Sequence, residues 1–258
     1  MTRKLRLDEP AEGVARLTID NPERRGALDH EILDDLAEHA RTIDARCLVI
    51  RGSGSMFSAG YDIGNLEDQR FEEAAERLVA HPFHDAIEAL EAYEYPVLGQ
   101  INGHAIGGGL ELALTCDIRI AVTGARFGMP PAKLGLIYSH TGLRKFVDVC
   151  GVSGAAELFY VGANIEAERA LAMGLVNELV AAEALEERAL EVAAEIAANA
   201  PLSLAGNKRV LRALRSQPLP EELERELIEL RESCFRSEDF REGVRAFAEK
   251  RRPVWRGR

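Results

Sequence analysis

The sequence predicts an α/β protein in which a core of alternating strands and helices is followed by a helical C-terminal region. Two short continuous apolar runs, 47–50 and 97–101, are typical of strands buried on both faces of a parallel sheet. Each run is followed by a glycine-bearing corner, and from about residue 140 onward the apolar spacing is mainly helical. We therefore divide the chain into a β/α core, residues 1–198, and a helical region, residues 199–258.

Each predicted element has its own local signal. Alternating apolar residues in 3–19 predict two strands around a turn at Glu12-Gly13. Asp29 is expected to cap a helix, because apolar residues follow it at helical spacing. The remaining expected elements, in chain order, are the strand at 47–50, a long polar helix at 68–92, the strand at 97–101, a helix through 110–114, a strand at 117–122, and helices at 182–199, 202–215, 219–233 and 238–250.

Length and composition narrow the class of protein. The chain has 258 residues, of which 47% are hydrophobic and 29% charged, as in ordinary globular proteins. The net charge of −11 argues against nucleic acid or an anionic membrane as a partner. With no apolar run of about 18 residues and no secretory signal pattern, we expect a cytoplasmic protein with no membrane partner.

The cysteines indicate reduced thiols rather than a metal or redox site. Cys47, Cys116, Cys150 and Cys234 are far apart, so no Cys-x-x-Cys pair is present. Cys47 and Cys116 lie in or beside apolar runs and are predicted to be buried. No His, Cys and carboxylate cluster has the spacing of metal ligands, so we expect no metal.

Two glycine-bearing corners are the first segments that indicate a possible catalytic site. They are the segments 57–63, FSAGYDI, and 101–111, INGHAIGGGLE. Glycines that open a helix leave unpaired N–H groups at the positive end of its dipole, and two such donors aimed at one point form an oxyanion hole. The alternative is that the glycine triplet only permits a turn or close packing. No Gly-Lys-Ser/Thr follows, which excludes a phosphate-binding loop.

Six segments together give the sequence a specific resemblance. They are 21–28 (NPERRGAL), 57–63 (FSAGYDI), 102–111 (NGHAIGGGLE), 116–121 (CDIRIA), 170–177 (ALAMGLVN) and 240–253 (FREGVRAFAEKRRP). In this order they resemble the crotonase superfamily, the enoyl-CoA hydratase/isomerase family. The resemblance implies the crotonase fold, in which repeated ββα units form a spiral core and a C-terminal helical region serves oligomerisation. It also implies an acyl-CoA thioester substrate, no further cofactor, and a homotrimer or a dimer of trimers.

The resemblance also assigns roles to individual residues. It implies that the backbone N–H groups of Tyr61 and Gly108 form the oxyanion hole and that Glu111 is the main acid/base. Residues that it places at the substrate or CoA site are Arg24, Arg25, Ala27, Ala59, Gly60, Asp62, Ile63, Gly107, Pro131, Phe247 and Lys250. Of these, Phe247 and Lys250 are tail positions expected to reach CoA bound to a neighbouring subunit.

One departure from the family pattern concerns the second glutamate of a standard hydratase. Pro131 stands at that position, and proline can neither donate nor accept a proton. The following segment, with Tyr138, is similar to the methylmalonyl-CoA decarboxylase branch, which also lacks the second glutamate. That branch usually has a histidine where Tyr61 stands, so the match is incomplete.

Each candidate has a plainer alternative. Glu111 could only complement its helix dipole, Tyr138 could be a half-buried aromatic whose hydroxyl is satisfied, and His140 could cap the following helix rather than replace the missing acid or base. Our first prediction is hydratase/isomerase-type chemistry through a thioester enolate. The alternatives are decarboxylation of a methylmalonyl-CoA-like substrate and acyl-CoA binding without turnover.

Overall fold

The computed structural model describes residues 3–62, 82–215, 221–251, 253, 254 and 256. Within them, two sheets form the core of the chain. The larger sheet has six strands in the order β1-β2-β3-β5-β7-β10, and the smaller has four in the order β4-β6-β8-β9. The strands are β1 Leu5–Ala11, β2 Val14–Ile19, β3 Cys47–Gly52, β4 Met56–Ser58, β5 Val97–Ile101, β6 His104–Ile106, β7 Ile118–Val122, β8 Arg126–Gly128, β9 Ile165–Glu166 and β10 Glu178–Val180.

The described helices lie between and after these strands. They are α1 His30–Thr42, α2 His84–Ala92, α3 Gly108–Thr115, α4 His140–Ala156, α5 Ala167–Ala172, α6 Leu185–Ala198, α7 Pro201–Arg215, α8 Glu221–Phe235 and α9 Glu238–Ala248. The predicted strands and the four predicted C-terminal helices are therefore found within a few residues of their expected bounds. Of the polar helix predicted at 68–92, residues 68–81 lie outside the described residues, and 84–92 is α2.

The larger sheet forms the main hydrophobic core. Strands β2, β3, β5, β7 and β10 run parallel, and only the edge strand β1 is antiparallel to its neighbour. All five residues of β5 are buried, as expected for a strand covered on both faces. Helix α6 packs across one face of the sheet, against β3, β5 and β7. The apolar runs of the sequence thus become the centre of the fold.

The N-terminal end of α1 is capped as predicted. The Asp29 carboxylate accepts a hydrogen bond from the Ile32 N–H at 3.0 Å and also pairs with Lys4. We expect Asp29→Ala to lower the free energy of unfolding by about 1 kcal/mol, the usual effect of losing an N-cap side chain. Urea unfolding would measure it, with Asp34→Ala, at an exposed position of the same helix, as the matched control. Equal stability of the two variants would contradict the capping role.

The smaller sheet was missed by pattern reading. Its strands have two or three residues, too few for alternation to be recognised. The structure corrects the placement of the two glycine corners, which follow β4 and β6 of this sheet rather than β3 and β5 directly. The mainly helical prediction from about residue 140 onward is confirmed, with the two short strands β9 and β10 as additions. Because β4 and β6 are parallel neighbours, their carboxyl ends and both corners lie at the same edge.

The C-terminal helix α9 approaches the core at the turn Pro131–Leu134. A Cβ added to Gly243 would lie 2.3 Å from the Leu134 carbonyl oxygen, so the two backbones are in close contact. No helix among the described residues is long and apolar enough to cross a membrane. Cys47 and Cys116 are free and buried as predicted, and burial raises the pKa of each thiol to about 12. The division into two regions and the role of the C-terminal helices in oligomerisation stay predictions.

Candidate active site

The two glycine corners converge at the start of α3. A Cβ built on Gly60 would lie 2.8 Å from the Ile106 carbonyl oxygen and 3.1 Å from the Gly108 nitrogen, so the corners touch backbone to backbone. Gly60 has a φ of +92°, a conformation that L side chains rarely adopt. The close contact between the segments explains part of the glycine pattern as packing. It also brings Gly108 beside the backbone of residue 60, the immediate neighbour of Tyr61.

The backbone directions at this edge suit the predicted oxyanion hole. Gly108 is the first residue of α3, and the N–H groups of the first helical turn have no intrahelical acceptor. On the other side, Leu28 N donates to the Gly60 carbonyl at 2.7 Å, and Asp62 N donates to the Leu28 carbonyl at 2.9 Å. Successive N–H groups in an extended segment point to opposite edges, so the Tyr61 N–H points away from Leu28. The structure therefore places Tyr61 and Gly108 together, and their joint role stays a prediction.

Glu111 lies in the first turn of α3 with only 4% of its surface exposed. Burial is the largest influence on this carboxyl and raises its pKa above the usual range, against the lowering effects of Lys145 and of the hydrogen bond from Tyr138. A residue that only complemented a helix dipole would need no such burial and no such partners. Burial disfavours the charged form of this carboxyl, and carboxyls perturbed in this way cluster at functional sites; the acid/base role of Glu111 stays a prediction.

Tyr138 links Glu111 to Tyr61. Its hydroxyl donates a hydrogen bond to the Glu111 carboxylate, and the two tyrosine hydroxyl oxygens are 3.2 Å apart. Since the single proton of Tyr138 is directed to Glu111, Tyr61 is the donor in the second contact. Burial and the nearby Glu111 charge raise the pKa of Tyr138 well above its ordinary value, which keeps the hydroxyl protonated. The satisfied hydroxyl that we considered for Tyr138 is thus found, and its partner is Glu111.

Aromatic contacts fix the two tyrosine rings. The Tyr61 ring lies above Gly108 and packs edge-on against Phe83, with ring centroids 4.8 Å apart. The Tyr138 ring packs on Phe159 at a centroid distance of 5.5 Å. The first pair is edge-to-face and the second is tilted, and both contacts favour particular ring orientations. Phe159 and Phe83 therefore help to hold the Tyr138 hydroxyl at Glu111 and the Tyr61 hydroxyl at Tyr138.

Lys145 is a charged neighbour of Glu111 that sequence reasoning missed. It projects from α4 with 7% of its surface exposed, and its Nζ lies 2.8 Å from Glu91 Oε1 and 4.0 Å from Glu111 Oε1. Lys145 lies three residues after the buried Gly142, a spacing that puts both on the inner face of the helix. The sequence does not show that Gly142 is buried, and the neighbouring Arg144, which pairs with Asp148, is also basic. The sequence alone therefore could not show which of the two basic residues faces inward.

The predicted CoA-lining segments lie against each other. Ser58 Oγ donates to the Gly26 carbonyl at 2.7 Å, and Ala59 N donates to the Arg25 carbonyl at 3.0 Å. Arg24 pairs with Asp62 at 3.6 Å. Arg24 and Arg25 are exposed, whereas Ala27 and Gly60 are buried. The two segments thus form one structural unit at the edge of the smaller sheet, beside the Gly108 corner.

Four further residues were predicted to belong to the site: Pro131, His140, Phe247 and Lys250. Pro131 is buried and opens a short 3-10 turn, so no carboxylate stands there. His140 does not cap α4, because the cap is Ser139, whose hydroxyl accepts the Gly142 N–H; His140 is the first helical residue. Phe247, 64% exposed, and Lys250, with a positive φ of 53°, lie at the end of α9.

Two predicted residues complete the account of the site. Gly107 is the N-cap of α3, and its N–H donates to the Gly128 carbonyl at 2.8 Å. Ile63 lies outside the described residues. Across the described ranges, no group of three His, Cys, Asp or Glu side chains could hold a metal ion. The chemistry that the described side chains offer is therefore proton transfer at Glu111, beside the hydroxyls of Tyr138 and Tyr61 and two converging backbone segments.

Comparison with known proteins gives a consistent match. A family model described as enoyl-CoA hydratase/isomerase matches residues 9–258. The short-chain-enoyl-CoA hydratase of Clostridium acetobutylicum is 32% identical over 244 residues, which cover 93% of this chain and 92% of the relative. The methylmalonyl-CoA decarboxylase of Escherichia coli is 31% identical over 250 residues, 95% of each chain. A solved structure of methylmalonyl-CoA decarboxylase in complex with 2-nitronate-propionyl-CoA has a TM-score of 0.90 at 28% identity, with 100% of each chain covered.

Proposed function

The chain belongs to the enoyl-CoA hydratase/isomerase family and has the crotonase fold; from this premise we propose that it transfers protons on an acyl-CoA thioester through an enolate, with Glu111 as the acid/base. The observation that carries the proposal is the buried Glu111 carboxylate in the first turn of the helix that starts at Gly108. A carboxyl with a raised pKa is suited to take and return a proton near neutral pH.

The proposed mechanism begins with polarisation of the thioester carbonyl. The carbonyl oxygen gains negative charge when a proton leaves Cα or a nucleophile adds at Cβ. The N–H groups of Tyr61 and Gly108 would stabilise that charge, and one such donor typically contributes about 3–4 kcal/mol. Glu111 would remove or deliver the proton at carbon or activate a water. Tyr138 would keep the carboxylate oriented through its hydrogen bond.

A single glutamate is proposed to suffice for this chemistry. A standard hydratase holds water between two glutamates, and Pro131 cannot replace the second. A general acid or base contributes about 10²–10⁴-fold, so its absence reduces the rate without abolishing the reaction. The proton that a second carboxyl would supply can come from water. Homotrimer formation, with Phe247 and Lys250 facing the CoA of a neighbouring subunit, forms part of this proposal.

The second candidate is decarboxylation of a 2-carboxyacyl-CoA such as methylmalonyl-CoA. Two observations favour it: the paired hydroxyls of Tyr61 and Tyr138, which can donate to a carboxylate, and the similarity to methylmalonyl-CoA decarboxylase. In that reaction the Cα–carboxyl bond breaks, its electron pair forms the enolate, and a proton then adds at Cα. No base is required to form the enolate, so the absence of the second glutamate would not slow this reaction.

Mass spectrometry of an acyl-CoA mixture tests the proposal. The mixture contains short and medium 2-enoyl-CoAs and 3-enoyl-CoAs together with methylmalonyl-CoA and ethylmalonyl-CoA. Gain of water, or conversion between enoyl isomers resolved by chromatography, is the expected result. Loss of CO₂ with no other product would contradict the proposal and support decarboxylation, the second candidate. Tight acyl-CoA binding without any product over a long incubation would indicate a binding protein and contradict both.

Tyr138→Phe distinguishes the two reactions. If Tyr138 only orients Glu111, losing one hydrogen bond to a charged group should lower kcat for hydration or isomerisation by about 10-fold, from about 1.5 kcal/mol. If its hydroxyl binds the leaving carboxylate, decarboxylation should fall by about 100-fold or more. Steady-state rates of the variant on both substrate classes measure the difference. Tyr160→Phe, at an exposed tyrosine, is the matched control.

A further inference from the structure

The buried Lys145 and the partly exposed Glu91 form an ion pair beside Glu111. A lysine as buried as Lys145 requires an anionic partner, because a desolvated ammonium without one is strongly disfavoured. Its closer partner is Glu91, at 2.8 Å, and Glu111 is the more distant one, at 4.0 Å. Glu91 retains some solvent contact, whereas Glu111 has almost none. The lysine is thus shared unequally by two carboxylates in different surroundings.

We propose that the Glu91–Lys145 pair sets the charge of Glu111: Lys145 is a positioning residue that holds the Glu111 carboxyl in its ionised form, and Glu91 limits this effect by taking the closer contact of the lysine. The inference rests on the proposed function, because it concerns the acid/base of that reaction. It assigns roles to two residues that neither the sequence motifs nor the resemblance singled out.

The charged and titratable groups around Glu111 support this assignment. Helix α2 supplies Glu91 and His84, α4 supplies Lys145, and the tyrosine hydroxyls of Tyr138 and Tyr61 complete the set. Of the two short strands packed on α3, β4 contains no titratable side chain, and His104 of β6 accepts a hydrogen bond from the Arg126 N–H. Lys145 is the strongest of the influences that favour the ionised form, and Glu91 opposes it.

The proposal predicts opposite effects for the two members of the pair. Lys145→Met removes the cation that favours the ionised carboxyl, so the pKa of Glu111 should rise further. Glu91→Gln removes an anion and releases Lys145 toward Glu111, so the pKa should fall. Since a base acts in its ionised form, the rising limb of kcat/KM should move to higher pH in the first variant and to lower pH in the second. Lys145→Arg should restore the wild-type profile.

Infrared difference spectroscopy measures the Glu111 charge without any turnover. The carboxyl signal that appears on acidification is assigned to Glu111 by its loss in Glu111→Gln, and it is titrated in each variant of the full chain. Lys208→Met is the matched control, because Lys208 is also buried and paired with a carboxylate, Asp117, at 2.9 Å. Lys208 is not among the groups that act on Glu111, so its loss should lower stability and leave the titration unchanged.

The outcomes separate this inference from the proposed function. Opposite shifts of the Glu111 titration support it even if no acyl-CoA is turned over. Shifts in the same direction, or none, overturn it even if the enzyme is active. If Lys145→Met does not fold because Glu91 is left unpaired, the double variant Lys145→Met/Glu91→Gln provides the test. Its titration should lie above that of the wild type, because the larger favourable charge has been lost along with the smaller unfavourable one.

Discussion

Glu111→Gln is expected to lower kcat/KM for the acyl-CoA substrate by about 10²–10⁴-fold, the usual contribution of a general acid/base. Glutamine keeps the shape of the side chain and can still accept the hydrogen bond from Tyr138, while Lys145 keeps its closer partner Glu91. The fold and the affinity for the CoA thioester should therefore persist. Steady-state kinetics, calorimetric binding of a substrate analogue and the melting temperature measure the three quantities.

Two comparisons make this result informative. Glu157→Gln changes a partly exposed glutamate that pairs with Arg169 on the surface and should leave kcat/KM unchanged. In the wild type, burial raises the pKa of Glu111 above the ordinary glutamate pKa of about 4.3. Activity should therefore be lost as the pH falls through that raised pKa. A loss of less than tenfold in Glu111→Gln would contradict an acid/base role and would favour decarboxylation, where the departing CO₂ leaves the enolate without a base.

Gly60→Ala is expected to reduce kcat by about 10²–10³-fold, the effect of removing one oxyanion donor. The new Cβ would lie 2.8 Å from the Ile106 carbonyl oxygen and 3.1 Å from the Gly108 nitrogen, so the two glycine corners must move apart. A displacement of either backbone segment would take an N–H group away from the thioester oxygen. The positive φ of Gly60 adds strain of about 1–3 kcal/mol, which should lower the melting temperature.

Gly54→Ala separates backbone strain from loss of the oxyanion hole. Gly54 also has a positive φ, of 66°, but its Cβ would meet only the Pro22 side chain, at 3.7 Å. This variant should lose stability and keep its kcat. If folded Gly60→Ala retained a kcat within about threefold of the wild type, far above the expected loss, then Tyr61 and Gly108 would not form the oxyanion hole.

In the proposed function, Glu111 would act without the second glutamate of a standard hydratase. Pro131, where the resemblance places that glutamate, has no carboxylate, and Tyr138, later in the same segment, makes a polar contact to Glu111. A phenol donates a hydrogen bond but, with its raised pKa, does not exchange its proton readily at neutral pH. In the proposed reaction, Glu111 would therefore be the group that exchanges protons, and Tyr138 would hold it in place.

The sequence by itself determined the sheet core, the capped helix α1 and the C-terminal helices, because their signals are local. Apolar runs such as 97–101, the spacing after Asp29 and the amphipathic pattern of α6 depend only on neighbouring residues. The motifs also identified Tyr61, Gly108 and Glu111 as candidates. The short strands β4, β6 and β8 could not be predicted in this way, because three residues held by hydrogen bonds to distant segments have no periodicity of their own.

Only the tertiary structure decided what surrounds Glu111. The Tyr138 hydroxyl and the Lys145–Glu91 pair reach it from separate segments of the chain, and the Tyr61 hydroxyl in turn contacts that of Tyr138. Their meeting depends on how α2, α3 and α4 pack, and a burial that raises one pKa while a neighbouring cation lowers it is a property of that packing. A local pattern states which residues can carry a charge. The free energy of that charge depends on desolvation and on distances of a few ångströms, which exist only in the folded chain.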